Sequence, residues 1–173
     1  MQRTLCYKIN LMKRLITLIA VAIVSVSWGQ NTSDKKVPEF IVHMADARIM
    51  DREEGRLAAS LGTTQAIRDY GTQMVKDQDM LLAKLQTLAA SKNITLPNAI
   101  SEKKSKQLEK LSKLTGKPFD RKFLKMIKAD HKRDIKRFKK ATFFEDGDTR
   151  VFAETNLKLI EQQLAQAQAL AKR

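Results

Sequence analysis

The stretch that decides the fold is IRDYGTQMVKDQDMLLAKLQTL, Ile67 to Leu88. Its apolar residues Ile67, Tyr70, Met74, Leu81, Leu85 and Leu88 return at steps of three, four and seven, which lines them up on one face of an α-helix. Between Met74 and Leu81 the apolar line is interrupted. Asp77 lies three residues after Met74 and four before Leu81, and Gln78 lies four after and three before. Either residue therefore stands where the pattern calls for an apolar side chain. It is a solvated edge, or a polar group carried into the middle of a helical assembly.

The same periodicity recurs on both sides of this helix. Upstream, a helix predicted over about 38–60 opens at Pro38, a residue favoured at a first helical position. It carries Phe40, Met44, Ala47, Leu57 and Leu61, and the break LGTT leads into the quoted helix, predicted over about 64–91. Downstream, NITLPN is a loop, a short amphipathic piece spans about 101–114, and Pro118 opens a third long helix to about Phe144 with Phe119, Phe123, Ile127, Ile135 and Phe138 on its stripe. EDGD (145–148) is a turn, and a fourth long helix covers about 149–171 with Phe152, Leu164, Ala167 and Leu170. No segment alternates with a period of two. The expected fold is all-α, an antiparallel four-helix bundle with an extra short helix between the second and third long helices.

The N-terminal residues belong to a different class of signal. MKRLITLIAVAIVSVSWGQ (12–30) has a basic start at Lys13 and Arg14, an apolar run from Leu15 to Val26, and a small-x-small site at Ser27-Trp28-Gly29. That is the pattern of a secretory signal peptide over residues 1–29, with Met12 an alternative start. The apolar run is shorter than the ~20 residues of a membrane span. A polar leader (30–37) and one helical domain (38–173) would follow. Removing residues 1–29 takes four cations and no acid, so the formal net charge falls from +14 to +10. It also takes Cys6, the one cysteine, leaving no disulfide or thiol chemistry in a compartment that would permit both. The expected location is the bacterial periplasm or the extracellular space.

Counting along the other stripes gives each long helix at least one polar residue directed to the middle. The first offers Asp51 and Glu54, four residues after Ala47 and four before Ala58; the second Asp77 and Gln78. The third offers His131, four from both Ile127 and Ile135, and the fourth Gln163, four after Leu159. Such a layer is where bundles build carboxylate-bridged di-metal centres, which require Glu-x-x-His on two helices. Neither His43 nor His131 has an acid three residues before it (Phe40 and Lys128 stand there), so the ligand count fails and no metal or cofactor is expected. His131 reads better as a half-buried histidine bonded to an acid such as Asp77 or Asp51. Asp77 reads as a bundle-edge carboxylate near Lys84 or Arg68, and His43 as a surface residue. No glycine-rich phosphate loop, Gly-x-Ser-x-Gly or plausible Ser-His-Asp or Cys-His set is present, so no catalytic residue is assigned.

Charge is unevenly spread. Between Lys103 and Lys140 there are 16 Lys or Arg against four acids, Glu109, Asp120, Asp130 and Asp134. The charge reads first as a basic solvated face; as the alternative, Lys132, Arg133, Lys136 and Arg137 are the candidate anion-binding residues, with lipid headgroups or lipopolysaccharide of the envelope as the anionic surface. Nucleic acid fits poorly, because Phe119, Phe123 and Phe138 sit on the apolar stripe and cannot also stack on bases.

Taken in order, DREEGRLAA, YGTQMVKDQDMLLAKL, NITLP, LSKLTGKPFDRKFLKMIKADHKRDIKRF and FAETNLKLIEQQLAQAQAL resemble the bacterial exported family called domain of unknown function 4142, over roughly Val37 to Leu170. The resemblance implies a ferritin-like helical bundle and no settled activity. Members of that family carry Met-Val-x-Asp-His on the second helix and a histidine on each of the third and fourth. Here Asp77 and His131 match, while Gln78 and Gln163 stand at the two other histidine positions. The acid beside the GRLA segment is met by Asp51 or Glu53, and Phe123 stands where a tyrosine is usual. The resulting expectation is a non-catalytic envelope protein. The alternative is a metal-binding or redox bundle whose site has degenerated.

Overall fold

The computed structural model describes residues 32–172, so the expectations for a signal peptide and for the choice of start lie outside the described residues. Within them are five helices and no strand: α1 (Thr32–Leu61), α2 (Gln65–Ala90), α3 (Glu102–Ser112), α4 (Gly116–Ala141) and α5 (Gly147–Leu170). The start of α1 corrects the sequence reading, since most of the supposed polar leader is helical and Pro38 lies inside the helix. TSDKK carries no apolar periodicity to announce a helix. There Pro38 forgoes the bond to the carbonyl four residues earlier, and its ring crowds that carbonyl.

The other boundaries have visible local causes. Thr64, in extended backbone, caps α2 by accepting from the Ile67 N–H. Asp146 caps α5 by accepting from the Thr149 N–H at 2.9 Å, which starts that helix two residues earlier than expected. Gly116, at φ +62°, makes the corner from α3 into α4 in the left-handed region that glycine tolerates best.

Two hairpins, α1–α2 and α4–α5, provide the most extensive helix pairings, and α1 meets α4 while α2 meets α5. Thr63, in the α1–α2 turn, donates to Asp120 near the start of α4. At the opposite end the Phe40 ring, early in α1, packs edge-on against Phe138, late in α4, with centroids 5.5 Å apart. Together these contacts make α4 antiparallel to α1 and hence parallel to α2. The link carrying α3 therefore returns the chain along the length of the molecule. A simple up-and-down antiparallel order does not hold.

The core is divided in two. One apolar cluster gathers Phe40, Ile41, Met44, Leu81, Leu85, Phe138, Phe152 and Ile160. The other gathers Ile67, Tyr70, Met74, Leu111, Phe119, Phe123 and Ile127. Residues intermediate in sequence on every long helix (48–54, 77–78, 131–134 and 156–163) include nine of the buried polar side chains. A polar slab thus lies between two apolar cores.

The α1–α2 hairpin closes at unusually short range. A Cβ on Gly71 would lie 2.6 Å from both the Ala59 nitrogen and the Gly55 carbonyl oxygen. These are backbone atoms of the facing helix and cannot swing away. Gly71→Ala should therefore destabilise the fold by about 1–3 kcal/mol. Urea unfolding followed by circular dichroism checks this, and an unchanged midpoint would show that the hairpin can separate freely.

Candidate functional site

The slab is a set of polar side chains that the helices cannot turn toward water. Arg48, Asp51, Glu54, Gln78, His131, Asp134 and Gln163 are each 3% exposed or less. At its centre Arg48 Nη2 lies 2.9 Å from Asp51 Oδ2, one turn along α1, and donates across the interface to Asp134 Oδ2 of α4. Asp134 also receives Arg137 Nη1 at 3.4 Å. A buried guanidinium between two carboxylates satisfies the rule that interior charges are paired.

A second network is organised by Gln163. Its Nε2 donates to Asp77 Oδ2 at 2.8 Å, so its Oε1 is the acceptor for Gln78 Nε2 at 3.1 Å and for His131 Nε2 at 3.0 Å. This assigns the His131 tautomer from its partners: Nε2 carries the proton and Nδ1 is a bare lone pair. Burial holds His131 below its ordinary value of 6.5, against the opposing pull of Asp51. The Tyr70 hydroxyl donates to the Gln163 backbone carbonyl at 3.0 Å, and burial holds the phenol well above its usual range.

Several expectations for these residues need correction. His131 is fully buried rather than half-buried, and its partner is Gln163, with neither Asp77 nor Asp51 bonded to it. Asp77 is bonded by Gln73 and Gln163; Lys84 goes to Asn156, and Arg68 to the Gly62 carbonyl and Gln65. An amide on α5 is long enough to stand between α2 and α4, which is why acid and imidazole do not meet. Glu54 has no partner on either oxygen. Arg48 Nε and Nη1, Asp51 Oδ2, Gln78 Oε1, His131 Nδ1 and Thr149 Oγ1 are likewise buried without a hydrogen bond. Desolvation, then the Asp51 charge, raises the Glu54 carboxyl well above its ordinary 4.5. Even so, among the described residues no three His, Cys, Asp or Glu side chains are placed to hold a metal ion.

Arg48 and Asp134 were not among the residues picked out by counting, although both fall on the stripe. Arg48 is four after Met44 and three before Asp51; Asp134 is three after His131 and four before Phe138. Their long or charged side chains resemble surface residues until a partner is known.

The outer side of α4 is the second candidate. At 3.6 residues per turn, Lys117, Arg121, Lys125, Lys128, Lys132, Lys136 and Lys140 follow one another at three- or four-residue steps, flanked by Lys122 and Lys139. These nine cations fill an arc of about 140° with no acid, over about 35 Å of helix. Among the described residues only Lys139 of the nine has a carboxylate partner, Glu161 at 3.3 Å. The expected quartet is split by this geometry. Lys132 and Lys136 belong to the open face. Arg133 pairs with Asp130 and Arg137 with Asp134, along the edge facing α1 and α3. There they line a cleft of about 620 Å³ whose cations are matched by Asp46, Asp51, Asp130 and Asp134.

An all-helical protein with a polar slab in its core and one uniformly cationic helix face is the class these features define. The chain belongs to the family described as domain of unknown function DUF4142, which it matches over residues 27–170. Comparison with curated proteins returns no match. Among solved structures it is similar in fold to a crystallised DUF305 fragment from Deinococcus radiodurans, with a TM-score of 0.71 at 11% identity. The match covers 80% of this chain and 97% of that one.

Two predictions follow from the slab. Arg48→Met leaves Asp51 buried without its cation and Asp134 with only the part-exposed Arg137, and should cost about 3–5 kcal/mol, read as a lowered urea midpoint. For Glu54 the folded value is raised, so its contribution to stability is complete below pH 4.5 and is lost as pH rises toward that raised value. Glu54→Gln should therefore raise the melting temperature at neutral pH and flatten its decline above pH 4.5. Parallel melting curves of the two proteins would contradict this.

Proposed function

We propose that this protein is an exported, non-catalytic, ferritin-like helical bundle of the bacterial cell envelope that binds an anionic surface through α4. The observation that carries the reading is the division of that helix. Its buried residues, from Phe119 through His131 to Ala141, occupy one side, and nine cations without an acid occupy the other. Unpaired like charges along a helix repel one another. A planar array of lipid phosphates or lipopolysaccharide relieves that repulsion at about 1 kcal/mol per cation. The apolar segment at 15–26 supports export, and the return link between the hairpins supports ferritin-like connectivity, in which one long crossover occurs.

The competing reading, a metal-binding or redox bundle using Asp51, Asp77 and His131, has less support. Gln163 stands between Asp77 and His131, and the two glutamines at the slab hold it together by amide hydrogen bonds.

The test is co-sedimentation with vesicles of phosphatidylglycerol and phosphatidylcholine. Binding should be strong at low ionic strength and largely abolished by 0.5 M salt, where screening is within a few ångströms. Lys132→Gln, Lys136→Gln and Lys140→Gln together should weaken it about a hundredfold. Arg133→Gln, already engaged with Asp130, should leave it nearly unchanged. Equal loss from both variants would refute α4's open face as the contact surface.

A further inference from the structure

At the end of the molecule where α4 begins, its cationic face borders a cleft of about 740 Å³. The floor is apolar: Leu170 of α5 and Ala66 of α2 are part-exposed on it, above the nearly buried Ile67 of α2 and Leu124 of α4. One wall carries Lys117, Arg121, Lys125 and Lys128. None of these four has a carboxylate partner among the described residues, whereas the one acid in the cleft, Asp120, is committed through both oxygens to the Thr63 backbone and hydroxyl. Thr63, Thr64 and Ala66 bring the first turn of α2 to the same cleft, and a helix N-terminus favours negative charge.

We propose that this cleft binds a single anionic amphiphile, its acyl chain on the Ile67–Leu124–Leu170 floor and its carboxylate or phosphate head among the four cations. The two halves of the lining call for the two halves of such a ligand. Water alone satisfies the cations but leaves Leu170 and Ala66 part-exposed, and a small anion satisfies the wall but not these apolar side chains. A neutral hydrocarbon would do the reverse. The volume lies within the ~300–1,000 Å³ of ordinary ligand clefts. The inference goes beyond surface adsorption, which uses the whole length of α4 and needs no cleft.

Titration with a fluorescent long-chain fatty acid below its aggregation concentration tests it. Wild-type protein should bind one equivalent saturably, and a lysophosphatidylglycerol monomer should displace the probe. The matching long-chain alcohol and inorganic phosphate should each compete at least tenfold more weakly. Ala66→Trp, which fills the floor, should lower affinity about tenfold or more while vesicle adsorption through Lys132, Lys136 and Lys140 persists. The exposed pair Lys117→Gln and Arg121→Gln carries little risk to folding and should lower affinity by a similar factor. Absence of saturable binding by the wild type would overturn the proposal, as would unchanged affinity in the exposed pair. Equal competition by phosphate would reduce the site to an anion site and overturn it too. Loss of vesicle adsorption with probe binding intact would instead refute only the surface reading.

Discussion

The arrangement depends on Arg48. Its guanidinium, sealed between two apolar clusters, bridges Asp51 on its own helix to Asp134 on α4, and α1 meets α4 far less extensively than it meets α2. A buried ion pair of this kind is not in itself a large source of stability, because desolvation offsets most of the attraction. Its consequence is specificity. Any sliding or rotation of one hairpin on the other strands at least one buried charge, at a cost of several kcal/mol. The Gln163 network does the same between α5, α2 and α4 through amide, imidazole and Asp77 carboxylate partners. Polar complementarity therefore fixes the register that two greasy clusters alone would leave loose.

Because α4 is fixed on its inner side, its outer side can be entirely cationic without endangering the fold. Phe119, Phe123, Ile127 and Phe138 are fully buried, and His131 and Asp134 are locked into the slab. Charge repulsion on the opposite side is a small term beside that burial, since like-charged i,i+4 pairs cost only a few tenths of a kcal/mol each. A free helix with nine cations on one face would be marginal; docked on two hairpins' worth of core it persists. Under the proposed reading that face is the anion-binding surface, and its N-terminal end lines one side of a cleft.

Much of this was legible in the sequence, and the failures have physical reasons. The three- and four-residue steps gave all four long helices, and stripe counting brought Asp51, Glu54, Asp77, Gln78, His131 and Gln163 to the interior, where all six are buried. Periodicity gives a face, however, and not a partner. It could not tell that an α5 amide would separate Asp77 from His131, or that Arg48 and Asp134 were interior charges, since each looks solvent-facing until the other is placed beside it. Local clustering also misled. Lys132, Arg133, Lys136 and Arg137 are neighbours in sequence, but a helix turns the two arginines toward acids and leaves the lysines with Arg121, Lys125 and Lys128. The polar start of α1 carried no apolar signal and so was invisible to the same method.

The central claim is that one helix face meets the anionic partner. Lysine acetylation footprinting, read by mass spectrometry on free and vesicle-bound protein, tests it most directly, since every lysine reports separately. Lys125, Lys132, Lys136 and Lys140 of α4 should be protected on binding, while the exposed Lys76 of α2 and Lys106 and Lys110 of α3 remain as reactive as in the free protein. Protection spread evenly over all of these lysines, or concentrated on α3, would contradict the account.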